Sequence, residues 1–161
     1  MEVIDNIDVF VKNVTEAARP AGDALLLPGW SRDDWEKLLS RAVPQRHRTR
    51  DMVIQRGMTD RALGFVVSGT LEVGILQVDG ISIVQLAHIR AGSVVGEQSF
   101  FDSQPRIANV WATSDVGLLR LDFEAYEKFS RDEPALTRDL LFALARVLSL
   151  RLRNTSFRVR R

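Results

Sequence analysis

The residues best suited to do chemistry lie together in one stretch, Gly96-Glu97-Gln98-Ser99-Phe100-Phe101-Asp102-Ser103-Gln104-Pro105-Arg106-Ile107-Ala108. It separates two strand-like runs and is too long for a plain hairpin loop. An acid stands near its start and an arginine near its end. The planar fork of an arginine meets two oxygens of a phosphate-like anion at once. A short helix beginning near Gln98 would aim free backbone N–H groups at the same anion. Gly96 at its entrance lets the backbone approach closely. Glu97 cannot serve an anion, but it can accept a hydrogen bond from a sugar hydroxyl, as acidic residues do in dinucleotide sites. Acid and base around one helical turn therefore make a coherent pocket for a phosphorylated ribose.

Other chemistries find little support. The chain has no cysteine, which excludes disulfides, thiol catalysis and thiolate zinc sites. His47 and His88 are far apart and lack neighbouring ligands, so no metal is expected. No nucleophile and base can be paired, so the chain is not expected to be an enzyme. Phe100 and Phe101 read as core rather than as base-stacking groups.

The elements that must position this stretch show in the periodicity. Val3, Ile7, Phe10, Val11 and Val14 fall on one helical face over residues 1–20, closed by Pro20 and Gly22. Ser31 and Asp34 resemble a capping box for a second helix over 31–41, with Trp35, Leu38 and Leu39 as its buried side. From about Gln45 to Leu121 short runs of β-formers alternate with glycine turns, among them Val78-Asp79-Gly80-Ile81, a strong hairpin signal. Such a series predicts a mainly β fold, a sandwich or a jelly-roll barrel (double-stranded β-helix), rather than an α/β sheet. Asp122 then starts a helix carrying Phe123, Tyr126 and Phe129, and Pro134 sits in the first turn of a last helix reaching about Arg153. Leu136, Leu140, Leu141, Leu144, Val147, Leu148 and Leu152 give that helix more apolar surface than one barrel face needs. A second helix, from another subunit or from residues 1–20, is expected against it.

The motifs together resemble the cyclic-nucleotide-binding domain family. Its phosphate-binding cassette reads roughly Gly-Glu-aliphatic-Ala, several residues, then Pro-Arg-Ala/Thr-Ala, and Gly96, Glu97, Pro105, Arg106 and Ala108 match it. Upstream, Asp51-Met-Val-Ile-Gln-Arg-Gly57 looks like the family's first Asp-x-Ile-x-x-x-Gly strand. Leu63-Gly-Phe-Val-Val-Ser-Gly-Thr-Leu-Glu-Val73 looks like its Phe-x-Val-x-x-Gly-x-Val-x-Val core. The likeness runs from Trp35 to Arg153. It implies N-terminal helices over 1–30, a cyclic-nucleotide-binding domain over 31–153 and a basic tail over 154–161. It further implies that Glu97 binds the ribose 2′-hydroxyl and Arg106 the cyclic phosphate of cAMP or cGMP. Backbone donors would come from Gly96, Gln98 and Ser99, and from Ile107 beside Ala108. Base contacts in the family come from the last helix or just after it, where Arg146, Arg151, Arg153 and Thr155 stand unranked.

The sequence departs from the pattern at three places. Ile107 replaces Ala, Ser or Thr, which removes a hydroxyl and adds branched bulk, leaving its backbone N–H to serve. Gln98 replaces an aliphatic residue and Ser99 an alanine. A sensor acting on a partner effector is therefore the first expectation, and an interaction module with a ligand-free pocket the second. The chain has 161 residues and a net charge of +1, which suits one domain and gives no global pull toward nucleic acid. The arginines at 41, 46, 48 and 50 and at 158, 160 and 161 are read as surface charge, with an acidic partner as the lesser alternative. The chain ends at Arg161, where no helix-turn-helix is expected to follow. The acidic N-terminus and short apolar runs predict no leader, no membrane span and a cytoplasmic protein. A homodimer through the terminal helices is expected.

Overall fold

Period-two alternation along the central strands divides their side chains between two cores. In the computed structural model, which describes residues 7–15, 22–76 and 83–159, one sheet orders β1 (Val43–His47), β8 (Val116–Asp122), β3 (Ala62–Ser68) and β6 (Val94–Val95). The other orders β2 (Met52–Ile54), β7 (Asn109–Ala112), β4 (Thr70–Leu76) and β5 (Ile83–Arg90). Neighbouring strands are antiparallel throughout. Val66, Val95, Val116 and Leu118 face the second sheet and meet Leu71, Ile89, Val110 and Ala112 between the layers. The alternate residues Leu63, Phe65, Val94, Leu119 and Leu121 face outward into a second core under the helices. The expected jelly-roll sandwich with N-terminal and C-terminal helices is the fold.

The two cores differ in content. The space between the sheets holds small aliphatic side chains. The helical side takes the fully buried aromatics Phe10, Trp35, Phe65, Phe100 and Phe129. Phe10 stacks on Trp35 at 4.9 Å between ring centroids, and Trp30 meets Trp35 edge-on at the same separation. Rings of this size bury far more area than valine and anchor the helices to the sheet.

Among the described residues five helices flank the sandwich: α1 (Asp8–Thr15), α2 (Arg32–Leu39), α3 (Glu97–Asp102), α4 (Phe123–Asp132) and α5 (Pro134–Val159). The capping box of α2 is formed as its sequence predicts. Ser31 accepts from the Asp34 amide at 3.2 Å, and the Asp34 carboxylate accepts from the Ser31 amide at 2.9 Å. The bonds that the Ser31 amide and hydroxyl donate to this carboxylate hold the Asp34 carboxyl below its ordinary value. The helix expected over 1–20 is described from Asp8 to Thr15, and residues 1–6 and 16–21 lie outside the described residues. The hairpin expected at Val78–Ile81 also lies outside them, although β4 and β5 pair up to Leu76 and Ile83 on either side. The last helix continues past Arg153 to Val159. Ile7, Phe10, Leu25, Leu27 and Trp30 share one core with Leu140, Leu144 and Val147, so the N-terminal segment is part of the domain's interior.

Leu119 lies where β8 meets that core and is fully buried. Leu119→Ala should lower unfolding free energy by about 2–5 kcal/mol, the usual loss for a core leucine, as read from urea denaturation midpoints.

Candidate functional site

The cassette forms because its backbone alternates like a strand up to Ala108 and turns sharply at Gly96. The Arg106 amide donates to the Met58 carbonyl, and the Gly57 amide donates to the Arg106 carbonyl, each at 2.8 Å. This ladder turns Arg106 inward, Ile107 outward and Ala108 inward again. Arg106 is 5% exposed and Ile107 54% exposed, so the isoleucine side chain does not occupy the interior. At the other end, Gly96 precedes α3 with φ +82°, in the left-handed region. A Cβ there would stand 2.7 Å from Arg106 Nη1 and 3.0 Å from the Ala62 carbonyl oxygen, so glycine is required twice over.

The Arg106 guanidinium is held on three sides. Nε and Nη2 donate to the two carboxylate oxygens of Asp60 at 3.3 and 2.9 Å. Nη2 also donates to the Ala62 carbonyl at 3.0 Å, and Nη1 to the Gly96 carbonyl at 2.8 Å. The second oxygen of Asp60 faces Arg120 as well, at 3.4 Å, and Arg120 pairs with Asp122. The hydrogen bonds from Arg106, helped by Arg120, hold the Asp60 carboxyl below its ordinary value against the cost of partial burial.

Glu97, at the first turn of α3, is buried and pairs with Arg151 of α5 at 2.7 Å. Arg151 also reaches Asp23 at 2.6 Å, the Val94 carbonyl at 2.7 Å and the Ser93 hydroxyl at 3.3 Å. Burial works against its charge, but Glu97 and Asp23 outweigh that and hold its pKa above the usual arginine value. Of the four C-terminal candidates, the structure brings Arg151 to the cassette. Arg146 instead donates to the Ala24 carbonyl at 3.1 Å, Thr155 donates back to the Arg151 carbonyl, and Arg153 is exposed.

Ser99 is buried and Gln98 exposed on α3. Phe100 is buried against Phe123 and Tyr126 of α4, a core position as its apolar context predicts. Sequence reasoning missed Asp60, Asp23, Arg120 and Arg61. Arg61 lays its guanidinium 3.3 Å from the Phe123 ring centroid and donates from Nε to the Phe100 carbonyl at 2.7 Å, tying the end of α3 to the start of α4. Asp60 and Arg61 stand just before β3, where no periodicity marks polar residues. Arg106 and Glu97 are thus near each other but held by separate opposite charges.

Because the Asp60 carboxyl is held below its unfolded value, its contribution is present above the unfolded pKa and is lost as pH falls through the lowered folded value. Asp60→Asn should therefore unfold more easily than the parent at neutral pH. The gap should close as pH drops below the ordinary aspartate value, as read from denaturant midpoints across pH.

No significant match to a curated protein is found. Among solved structures, a cyclic nucleotide-binding domain from Methylobacillus flagellatus superposes with a TM-score of 0.79 at 20% identity, over 95% of this chain and 82% of that one. The catabolite activator protein of Thermus thermophilus gives a TM-score of 0.70 at 26% identity, over 81% of this chain and 59% of that one. The c-di-GMP-responsive regulator CLP of Xanthomonas campestris gives 0.75 at 22% identity, over 81% of this chain and 64% of that one. The present chain therefore spans under two thirds of the length of these two regulators. The family model described as the cyclic nucleotide-binding domain matches residues 44–133, more than half of the sequence, from within β1 to just past α4, and the chain belongs to that family.

Proposed function

We propose that the chain is a non-catalytic, cytoplasmic sensor that binds cAMP or cGMP and acts on an effector protein in trans. The observation that carries this reading is the pair of buried charged side chains on either side of the α3 entrance, Arg106 and Glu97, held apart by separate partners. A cyclic nucleotide carries an anion for the first and a ribose hydroxyl for the second. Gly96, Gln98 and Ser99 would add backbone donors at the turn, with Ile107 and Ala108 on the strand side. Ile107 presents bulk to solvent rather than to the interior, which leaves its backbone N–H for the phosphate.

Binding would reach α5 through Glu97 and Arg151. A hydroxyl that takes a hydrogen bond into Glu97 changes the balance Arg151 strikes between Glu97 and Asp23. The outer side of α5 carries Leu141, Ala145, Leu148 and Leu152 at spacings of four, three and four, with Phe142 beside them. Phe142 is 80% and Leu152 67% exposed. That seam is the surface by which two copies would pair, following the spacing of coiled coils.

A second reading is a scaffold with the same fold and no ligand. It is favoured by one observation: Arg106 is already satisfied by Asp60, Ala62 and Gly96.

Calorimetric titration separates the two. Under the sensor reading cAMP or cGMP gives saturable heat, and Arg106→Ala weakens binding by about 2–5 kcal/mol, the scale for truncating one partner of a buried charge pair. Silence from both nucleotides at millimolar concentration would leave only the scaffold. Sedimentation velocity tests the seam: Leu152→Asp should shift a dimer to monomer.

A further inference from the structure

Arg151 stands between two carboxylates, and one of them lies outside the cassette. Nη1 faces Glu97 Oε1 at 2.7 Å, and Nε donates to Asp23 Oδ2 at 2.6 Å. Nη2 donates to the Val94 carbonyl at 2.7 Å and to the Ser93 hydroxyl at 3.3 Å. One cation thus serves two anions, and the trio as a whole keeps a negative charge. Glu97 is buried, so water screens that charge poorly. Among the described residues the second oxygen of Glu97, Oε2, accepts no hydrogen bond.

Asp23 is not needed to hold its own segment. Its carbonyl accepts from the Ser93 hydroxyl at 2.8 Å, and the Leu25 amide donates to the Gly92 carbonyl at 2.9 Å. The Asn13 side-chain amide donates to the same Gly92 carbonyl at 3.0 Å, and Arg146 donates to the Ala24 carbonyl at 3.1 Å. Leu25 is fully buried in the helical core. These contacts bring the Asp23 carboxylate to Arg151 whether or not it carries charge. What the charge adds is a second claim on the guanidinium.

We propose that Asp23 is a positioning residue for ribose recognition: by sharing the Arg151 guanidinium it keeps Glu97 a strong acceptor for the ligand's 2′-hydroxyl. Hydrogen bonds strengthen when the acceptor carries net charge. Without Asp23 the guanidinium would lean on Glu97 alone and neutralise it, and the acceptor would weaken. The N-terminal segment then sets how sharply the site separates a ribonucleotide from its 2′-deoxy form. The proposal rests on the sensor reading of the same site. Its readout is a ratio between two ligands with the same phosphate and base, so any effect of the Asp23 charge on the incoming anion cancels.

The test is calorimetric titration of the full chain with cAMP, cGMP and their 2′-deoxy forms. The parent is expected to prefer the ribose form about tenfold or more, the scale of a hydrogen bond to an ionised acceptor. Asp23→Asn should cut that preference to about threefold, the scale of a bond to a weaker acceptor. Asp23→Glu keeps the charge and should keep the parent's preference. A purely structural role would move both affinities together and leave their ratio alone. Asp23→Ser carries the same expectation as Asp23→Asn and replaces it if that variant does not fold. An unchanged ratio on loss of the charge, or equal affinity of the parent for ribose and deoxyribose forms, would overturn this proposal and leave the sensor reading standing. Silence from all four nucleotides would sink the sensor reading and this proposal with it.

Discussion

A buried guanidinium must find its acceptors inside the protein, because an uncompensated charge there costs several kcal/mol. Arg106 meets that demand with groups from three segments: Asp60 before β3, Ala62 at the start of β3, and Gly96 at the entrance of α3. One side chain therefore fixes the loop, the strand and the cassette turn relative to each other. The demand also explains the glycine. The carbonyl of residue 96 can approach Nη1 to 2.8 Å only where no Cβ stands between the chain and the guanidinium.

The same saturation bears on ligand affinity. A guanidinium offers five N–H donors, and the contacts to Asp60, Ala62 and Gly96 engage four of them, leaving one on Nη1. An anion arriving here would gain only the difference between its own contacts and those it displaces. Asp60 need not be stranded by that exchange, since Arg120 already faces the same carboxylate oxygen. Under the sensor reading, that second cation would make the first one easier to release.

What the sequence made legible follows from distance along the chain. Glu97 and Arg106 could be read as a pair because one short turn joins them. Along β3, Leu63, Phe65 and Val67 fall on one face and Gly64 and Val66 on the other, and each face packs against one of the two cores. The partners of the two charges were not legible. Asp60 is 46 positions from Arg106, and Asp23 is 128 from Arg151, so only the folded topology brings them together. Ile107 was misleading for a related reason. Its bulk matters only if it points inward, and the ladder to Met58 that turns it outward is a long-range contact. The β1 strand carries Pro44, which argues against a central strand but is tolerated at the sheet edge where β1 lies.

The Arg151 network makes α5 more than a cover for the sheet. Its guanidinium is compensated by two carboxylates from opposite directions, Glu97 on the cassette and Asp23 on the N-terminal segment. If a ligand hydroxyl competes for Glu97, the inner side of α5 loses part of one anchor while keeping the other, a change in direction more than in net charge. Leu152 is the next residue along the helix and stands on the exposed side. A rigid helix cannot shift one side without the other. Any free-energy difference between the two Arg151 arrangements is therefore also a difference in how the outer seam is presented, and a ligand moves that seam only by as much as it prefers one arrangement to the other.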